Sequence, residues 1–318
     1  MDRTTAPRVQ YEEMMRQLQG KRPASLYMNL SDAFMTPEEP VVMMRDCNDK
    51  AAEIYTHQHT FHEVLIIEQG EIRYQIEDRI YRIGRGDVIV LPAGYRHHPI
   101  FTQESRLPYQ RIVIWIHAGY LAEEVGRFPE LGTLLDCCHQ KDEYVWHPSA
   151  GTAGSIMQTA HAILENTKQK PYGWYPIQHY GCMSLLAMLG NYIFSEGNSG
   201  TDAAQIATNG MLSYVHAHWR EKITLDDLAR ALLCSRAGAA KKFRETVGIP
   251  FYEYVTQLRL LEITKRMQAG TPITQAWIDC GFADYSSFYR AFKKNYGTSP
   301  SEFMKLHDSM RQQQSVDG

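Results

Sequence analysis

The chain has 318 residues, 44% of them hydrophobic and 22% charged, which excludes a disordered or fibrous protein and leaves room for two ordinary domains. Its net charge of −3 hides an asymmetry: residues 211–318 carry 15 basic and 11 acidic side chains, a net of +4, against 18 and 25, a net of −7, in residues 1–210. No run reaches the ~18 apolar residues of a membrane span, the N-terminus lacks the apolar stretch of a secretory signal, and the six cysteines form no Cys-x-x-Cys pair, so a reducing cytoplasm is expected.

From about Ser25 to His117 the pattern predicts short strands. Glu63–Glu68 is followed by a turn at Gln69-Gly70, then Ile72, Tyr74 and Ile76 alternate at period two. Asp78-Arg79 predicts a tight turn, Tyr81 and Ile83 a returning strand, Gly84-x-Gly86-Asp87 a break before Val88–Leu91, and Arg111–His117 a strand buried on both faces. Many short strands at close spacing mean a sandwich or small barrel. From about Gly151 the period becomes helical: Ile156, Met157, Ala160, Ile163 and Leu164 mark one helix, and Met183, Leu186, Ala187 and Tyr192 another, with Gly173 and Pro176 between them. Ser195–Asp202, polar and rich in glycine, reads as a linker.

Everything after Gly210 reads as helix, and it repeats. Leu225-x-x-Leu228-Ala229 recurs 48 residues later as Ile273-x-x-Ala276-Trp277, and Phe243 with Gly248 recurs 49 residues later as Phe292 with Gly297. Each copy predicts a short helix (Leu225–Leu232, Ile273–Cys280), a break, and a second helix capped by Ser235 in the first copy and by Asp284 or Ser286 in the second. Gly281 suits a turn needing positive φ. Phe251–Gln268 predicts a long bridging helix, while Thr271-Pro272 and Ser299-Pro300 each read as an N-cap followed by proline at the first helical position. Helix–turn–helix is the shape that places a second helix in the DNA major groove. A plain helical bundle is the competing reading. Basic residues on the outer face of both second helices (Arg236, Lys241, Lys242; Arg290, Lys293, Lys294) favour DNA.

The stretch from about Met211 to His307 resembles the DNA-binding domain of the AraC/XylS family of transcription regulators. The resemblance rests on Ile273, Gly281-Phe282-x-Asp284, Ser287-Phe288-x-Arg290-x-Phe292-Lys293-Lys294 and Gly297-x-Ser299-Pro300, supported by Leu228-Ala229, Ser235, Phe243, Gly248, Tyr254 and Arg259. Trp277 and Ile263 depart from it, standing where the family usually has alanine. By position, the resemblance implies that Ala237, Ala240 and Lys241 face bases in the first copy, and Tyr285, Ser286, Tyr289 and Arg290 in the second. Arg236, Lys293 and Lys294 complete the DNA-binding set.

The N-terminal half carries His57-x-His59-x-x-x-Glu63 followed by Gly70, then Gly86, Pro92, Gly94 and His97. This resembles the two motifs of the cupin jelly roll, with Phe101 in place of the usual asparagine. On one strand His57 and His59 share a face, and imidazoles with one carboxylate suit iron, manganese, nickel or zinc. Three readings of His57, His59, Glu63 and His97 stay open: a divalent metal site, an effector pocket without metal, and structural residues. His62 and His98 are expected on the opposite face.

The expected architecture is α+β and multidomain. It comprises a cupin-like jelly-roll sensor (1–150), a helical dimerisation segment (151–194), a linker (195–210) and an all-α domain with two helix-turn-helix motifs (211–318). The implied function is a cytoplasmic, effector-responsive regulator, with promoter DNA, a small metabolite such as a sugar, RNA polymerase and a second copy of itself as partners, and no membrane. The alternative is a cupin metalloenzyme whose helical tail is a vestigial DNA-binding shape.

Overall fold

The computed structural model describes residues 35, 39–50, 56–196, 205–208 and 210–316. The start of the strand-rich region at Ser25 and most of the expected linker lie outside the described residues. Seven strands form the N-terminal barrel: β1 (Val41–Asn48), β2 (His62–Ile76), β3 (Arg79–Gly84), β4 (Val88–Leu91), β5 (His97–Ile100), β6 (Arg106–Ile116) and β7 (Val145–Trp146). Their pairings are all antiparallel. Strand β2 is the shared wall, pairing with β4 and β6 through its first half and with β3 and β5 through its second.

That double role explains two departures from the expected turns. Gln69-Gly70 does not reverse the chain; β2 runs straight through it and its register against β6 shifts there. Gly70 has φ +97°, and a Cβ at this position would lie 2.7 Å from the Pro108 carbonyl oxygen, so β6 presses against a backbone that only glycine fits. The hairpin turn lies at Glu77-Asp78, one residue before the expected pair, with Glu77 at φ +49°.

Four α-helices accompany the barrel, two before β7 and two after it: α1 (Ala118–Arg127), α2 (Thr133–Lys141), α3 (Ala150–Gln169) and α4 (Trp174–Glu196). The first two were not among the expected elements. Helices α3 and α4 pair with each other, and their apolar faces (Ile156, Ala160, Ile163; Leu185, Leu189) enter the same core as Val41, Met43 and Ile116. Pro176 falls inside the first turn of α4 rather than between the helices, where its missing N–H costs no bond.

The C-terminal region is helical after a short strand, β8 (Gln205–Thr208): α5 (Gly210–His218), α6 (Leu225–Ala231), α7 (Arg236–Val247), α8 (Phe251–Gln268), α9 (Ile273–Asp279), α10 (Tyr285–Tyr296) and α11 (Pro300–Val316). Leu228 and Phe243 of the first copy, Phe288 and Phe292 of the second, and Tyr254 and Leu258 of the bridging α8 build one core. Ser235 caps α7 by accepting from the Gly238 N–H at 3.1 Å, and Asp284, not Ser286, caps α10 by accepting from the Ser287 N–H at 2.7 Å. The Thr271-Pro272 expectation is corrected: Pro272 itself is the cap, and no side chain bonds the first turn of α9. Ser299 behaves as expected, accepting from the Glu302 N–H at 3.2 Å ahead of Pro300.

The two regions are joined by more than covalent chain. Within the expected linker, β8 pairs with β3. Ile80 and Ile100 of the barrel are buried in the core of the helical region. Gln75 of β2 donates to the Tyr254 hydroxyl at 2.5 Å, His216 of α5 lies 2.8 Å from that hydroxyl, and Arg73 donates to the Glu245 carbonyl of α7 at 2.8 Å.

Candidate DNA interface and barrel metal site

Helices α7 and α10 superpose in role residue by residue at an offset of 49: Arg236 with Tyr285, Ala237 with Ser286, Ala240 with Tyr289, Lys241 with Arg290. Each buries one stripe, Ala239, Phe243 and Val247 in α7 and Phe288, Phe292 and Tyr296 in α10. The opposite stripe is solvent-facing: Arg236, Ala237, Lys241 and Lys242 in α7, and Tyr285, Ser286, Arg290, Lys293 and Lys294 in α10, with Ala240 and Tyr289 half-buried beside them. Their ion pairs are weak surface contacts, Arg236 with Asp226 at 3.0 Å, Lys241 with Glu245 at 3.9 Å and Lys294 with Glu253 at 3.3 Å, which a phosphate can displace at little cost.

The turns before the two helices differ. In the second copy Gly281 takes φ +80°, and an added Cβ would sit 2.3 Å from the Arg220 carbonyl oxygen. Arg259 of α8 fixes the same corner by donating to the carbonyls of Trp219 and Glu221 at 2.9 and 2.7 Å, which assigns this residue a scaffolding role. In the first copy Leu233 holds the equivalent position at φ +52°, although leucine disfavours that region, and its side chain is almost fully exposed.

Inside the barrel, three of the four expected residues converge. Ligand atoms of His59, Glu63 and His97 all lie within 4.8 Å of one another, and all three residues are buried. His57 is not part of that group. It forms an isolated bridge with His97 instead of sharing a strand with His59, and its ring packs against the His97 ring with centroids 4.3 Å apart.

The hydrogen bonding of the triad specifies its chemistry. His59 Nδ1 donates to the Phe61 carbonyl at 2.7 Å and His97 Nδ1 to the Tyr95 carbonyl at 2.9 Å. A carbonyl accepts only, so each Nδ1 carries the proton and each Nε2 presents a lone pair. Both Nε2 atoms are buried and make no hydrogen bond, yet they stand 3.5 and 3.3 Å from Glu63 Oε2. Burial raises the Glu63 pKa, and only N–H donors or positive charge on the His59 and His97 side would outweigh it and hold the carboxyl well below the usual range. An ionised carboxylate facing two lone pairs requires something positive between them. Extra protons would leave two imidazoliums buried around one carboxylate, whereas a single divalent ion satisfies all three groups. Carbonyls fixing both imidazoles, and Trp115 Nε1 donating to Glu63 Oε1 at 2.7 Å, are the outer contacts such a site requires. The residues therefore fit a metal ion.

The contribution of Trp115 was not visible in the sequence. Its pairing with Glu63 across β2 and β6 follows from strand register, which residue spacing does not encode. His62 and His98 lie outside the triad: the ring of His62 accepts from the Ala93 N–H at 3.2 Å, and His98 meets the Thr56 hydroxyl at 3.2 Å. Burial lowers the first to about 4 and the second to about 3, so both are neutral.

Residues 228–306 match the family described as a helix-turn-helix domain, and residues 48–115 match the cupin domain family. The chain is 22% identical over 259 residues to the HTH-type transcriptional activator RhaS of Escherichia fergusonii, spanning 80% of this chain and 89% of that protein. It is also 22% identical over 289 residues to the HTH-type transcriptional activator RhaR of Shigella dysenteriae, spanning 87% and 96%. A solved structure of ToxT from Vibrio cholerae is similar at 16% identity, covering 84% of this chain and 98% of that one with a TM-score of 0.31. Fold and site thus define a class: a cupin-like barrel followed by a tandem helix-turn-helix domain. The helix-turn-helix and cupin matches agree with the resemblance to AraC/XylS regulators, and the similar proteins are described as HTH-type transcriptional activators.

Proposed function

We propose that the protein is a cytoplasmic, ligand-responsive transcription regulator whose barrel senses a small metabolite and whose helical region holds promoter DNA. One observation carries the reading: α7 and α10 present equivalent, solvent-facing, basic stripes on a common scaffold. Ala237, Ala240 and Lys241 of α7, with Tyr285, Ser286, Tyr289 and Arg290 of α10, are then the base-facing set. Arg236, Lys293 and Lys294 hold phosphates, which position the protein without reading sequence. The relatives' description as transcriptional activators supports an activating role with RNA polymerase as protein partner. Sugar-like effector chemistry rests on family analogy. Exposed Ile177, Tyr180 and Phe194 along α4 support pairing of two copies through the segment 151–194.

In this reading His59, Glu63 and His97 hold a divalent ion, which supplies an electrophilic anchor for an oxygen ligand. Strand β5 connects that site to the DNA-binding region. His97 enters the triad, and three residues on Ile100 is buried in the helical core, 3.0 Å from where a Cβ on Gly248 would lie at the end of α7. Occupancy of the barrel is thereby transmitted to the first reading helix by strand displacement.

Fluorescence anisotropy of the full-length protein on DNA upstream of its own gene tests the regulator. Binding should weaken steeply with salt, as counterion release requires, and a salt-independent or absent interaction sinks the reading. Elemental analysis tests the ion: close to one equivalent of iron, manganese, nickel or zinc is expected, lost in the His59→Ala/His97→Ala variant. A metal-free protein that still responds to its inducer removes the ion from the account.

A further inference from the structure

The cavity beside His57, Glu63 and Arg111 inside the barrel measures only about 30 Å³, room for an ion and a water and far below the ~300–1,000 Å³ of ordinary small-molecule sites. A second cavity, about 630 Å³, opens on the barrel's outside between the β2–β3 hairpin and the start of β6. We propose that this outer cavity is a binding site for a small organic anion, a carboxylate or a phosphate ester. The inference rests on the effector-responsive reading above and moves the organic effector out of the metal-holding interior.

Charge is the first argument. Arg82, Arg85 and Arg106 line the cavity, and Glu71 is the carboxylate that Arg82 and Arg106 share, at 4.0 and 3.4 Å. The other acidic lining residue, Asp87, is engaged elsewhere, accepting from the Gly84 N–H and meeting His147 Nδ1, each at 2.7 Å. Among the described residues no ion pair is formed by Arg85. Arg73 stands directly opposite Arg82 on the β2–β3 ladder and is itself paired with Glu104 at 2.7 Å. Arginine forks match carboxylate and phosphate geometry.

His147, with its Nδ1 on the Asp87 carboxylate, also lines the cavity. Half-buried Leu107 adds an apolar surface beside the arginines. Arg73, which borders the adjoining groove, bonds the Glu245 carbonyl of α7, so the site touches the same DNA-reading helix as β5.

Isothermal titration of the full-length protein with D-glucuronate, glycerol phosphate and neutral D-glucose tests the site. We expect at least one anion to bind and glucose not to, the two anions separating carboxylate from phosphate preference. Affinity should fall about tenfold or more in Arg82→Ala/Arg85→Ala, whose folding is checked by its melting curve, and should persist in Arg127→Ala on the distant α1. Binding of neither anion, equal binding of glucose, or undiminished affinity in the double variant overturns the proposal. Absence of DNA binding by the same wild-type preparation would instead count against the regulator reading, so the two failures are separable.

Discussion

The two helix-turn-helix copies share a frame and differ at every position that matters for reading DNA. Both bury an aromatic at matched points, Phe243 and Phe292, and both end on a glycine in the left-handed region, Gly248 at φ +84° and Gly297 at φ +66°. On the outer face, however, α7 offers Ala237, Ala240 and Lys241 where α10 offers Ser286, Tyr289 and Arg290. Gly238 interrupts α7 in its first turns, a residue that costs a helix about 1 kcal/mol relative to alanine. Small side chains reach little but backbone and thymine methyls, whereas arginine can bridge two acceptors of guanine. Duplicated scaffolding need not carry duplicated function: in the proposed reading α10 supplies the specificity and α7 mainly the grip.

The sharpest way to break this pairing is at its turns. Gly281→Ala would drive a Cβ into the Arg220 carbonyl at a position where φ is already positive. It should cost about 3 kcal/mol or more, read as a large fall in the urea midpoint. The unequal reading is sharpened next. Arg290→Ala should lose about 1–3 kcal/mol on the preferred site and relax one base pair, measured by anisotropy on a set of single-base variants. Lys242→Ala on α7 should instead weaken all sequences alike and reduce the salt slope by about one. The smallest effect has the opposite sign. Leu233→Gly removes a left-handed leucine that buries almost nothing, so the variant should be more stable by roughly 0.5 kcal/mol after the extra freedom of unfolded glycine is counted. A destabilised Leu233→Gly protein would mean that the exposed leucine has a role the turn geometry does not explain.

Features written in short-range chemistry were legible in the sequence. The caps at Ser235, Asp284 and Ser299, the positive-φ glycine at position 281 and the repeat offset all depend on neighbours a few residues away. Features decided by distant partners were not. Gln69-Gly70 has turn composition, but the pressure of β6 on Gly70 turns it into a bulge. Residues 205–208 sit in a linker-like segment, yet β3 recruits them as an edge strand. In the barrel, motif spacing identified the three converging residues, while the place of His57 beside the triad and the Trp115–Glu63 bond needed the fold. Gln75, with apolar neighbours on both sides, looked like one more strand residue until Tyr254 appeared across the boundary between regions.

Selection of binding sites from a random duplex library by the full-length protein tests the central claim most directly. With α7 and α10 in successive major grooves, as the proposed function has it, each enriched site should divide into two blocks that footprinting assigns to one helix or the other. The account predicts that the block facing Tyr285–Tyr296 carries most of the sequence information, with at least one invariant guanine lost in Arg290→Ala. A block facing Arg236–Val247 that is the more informative of the two, or a library from which no sequence is enriched, would contradict it.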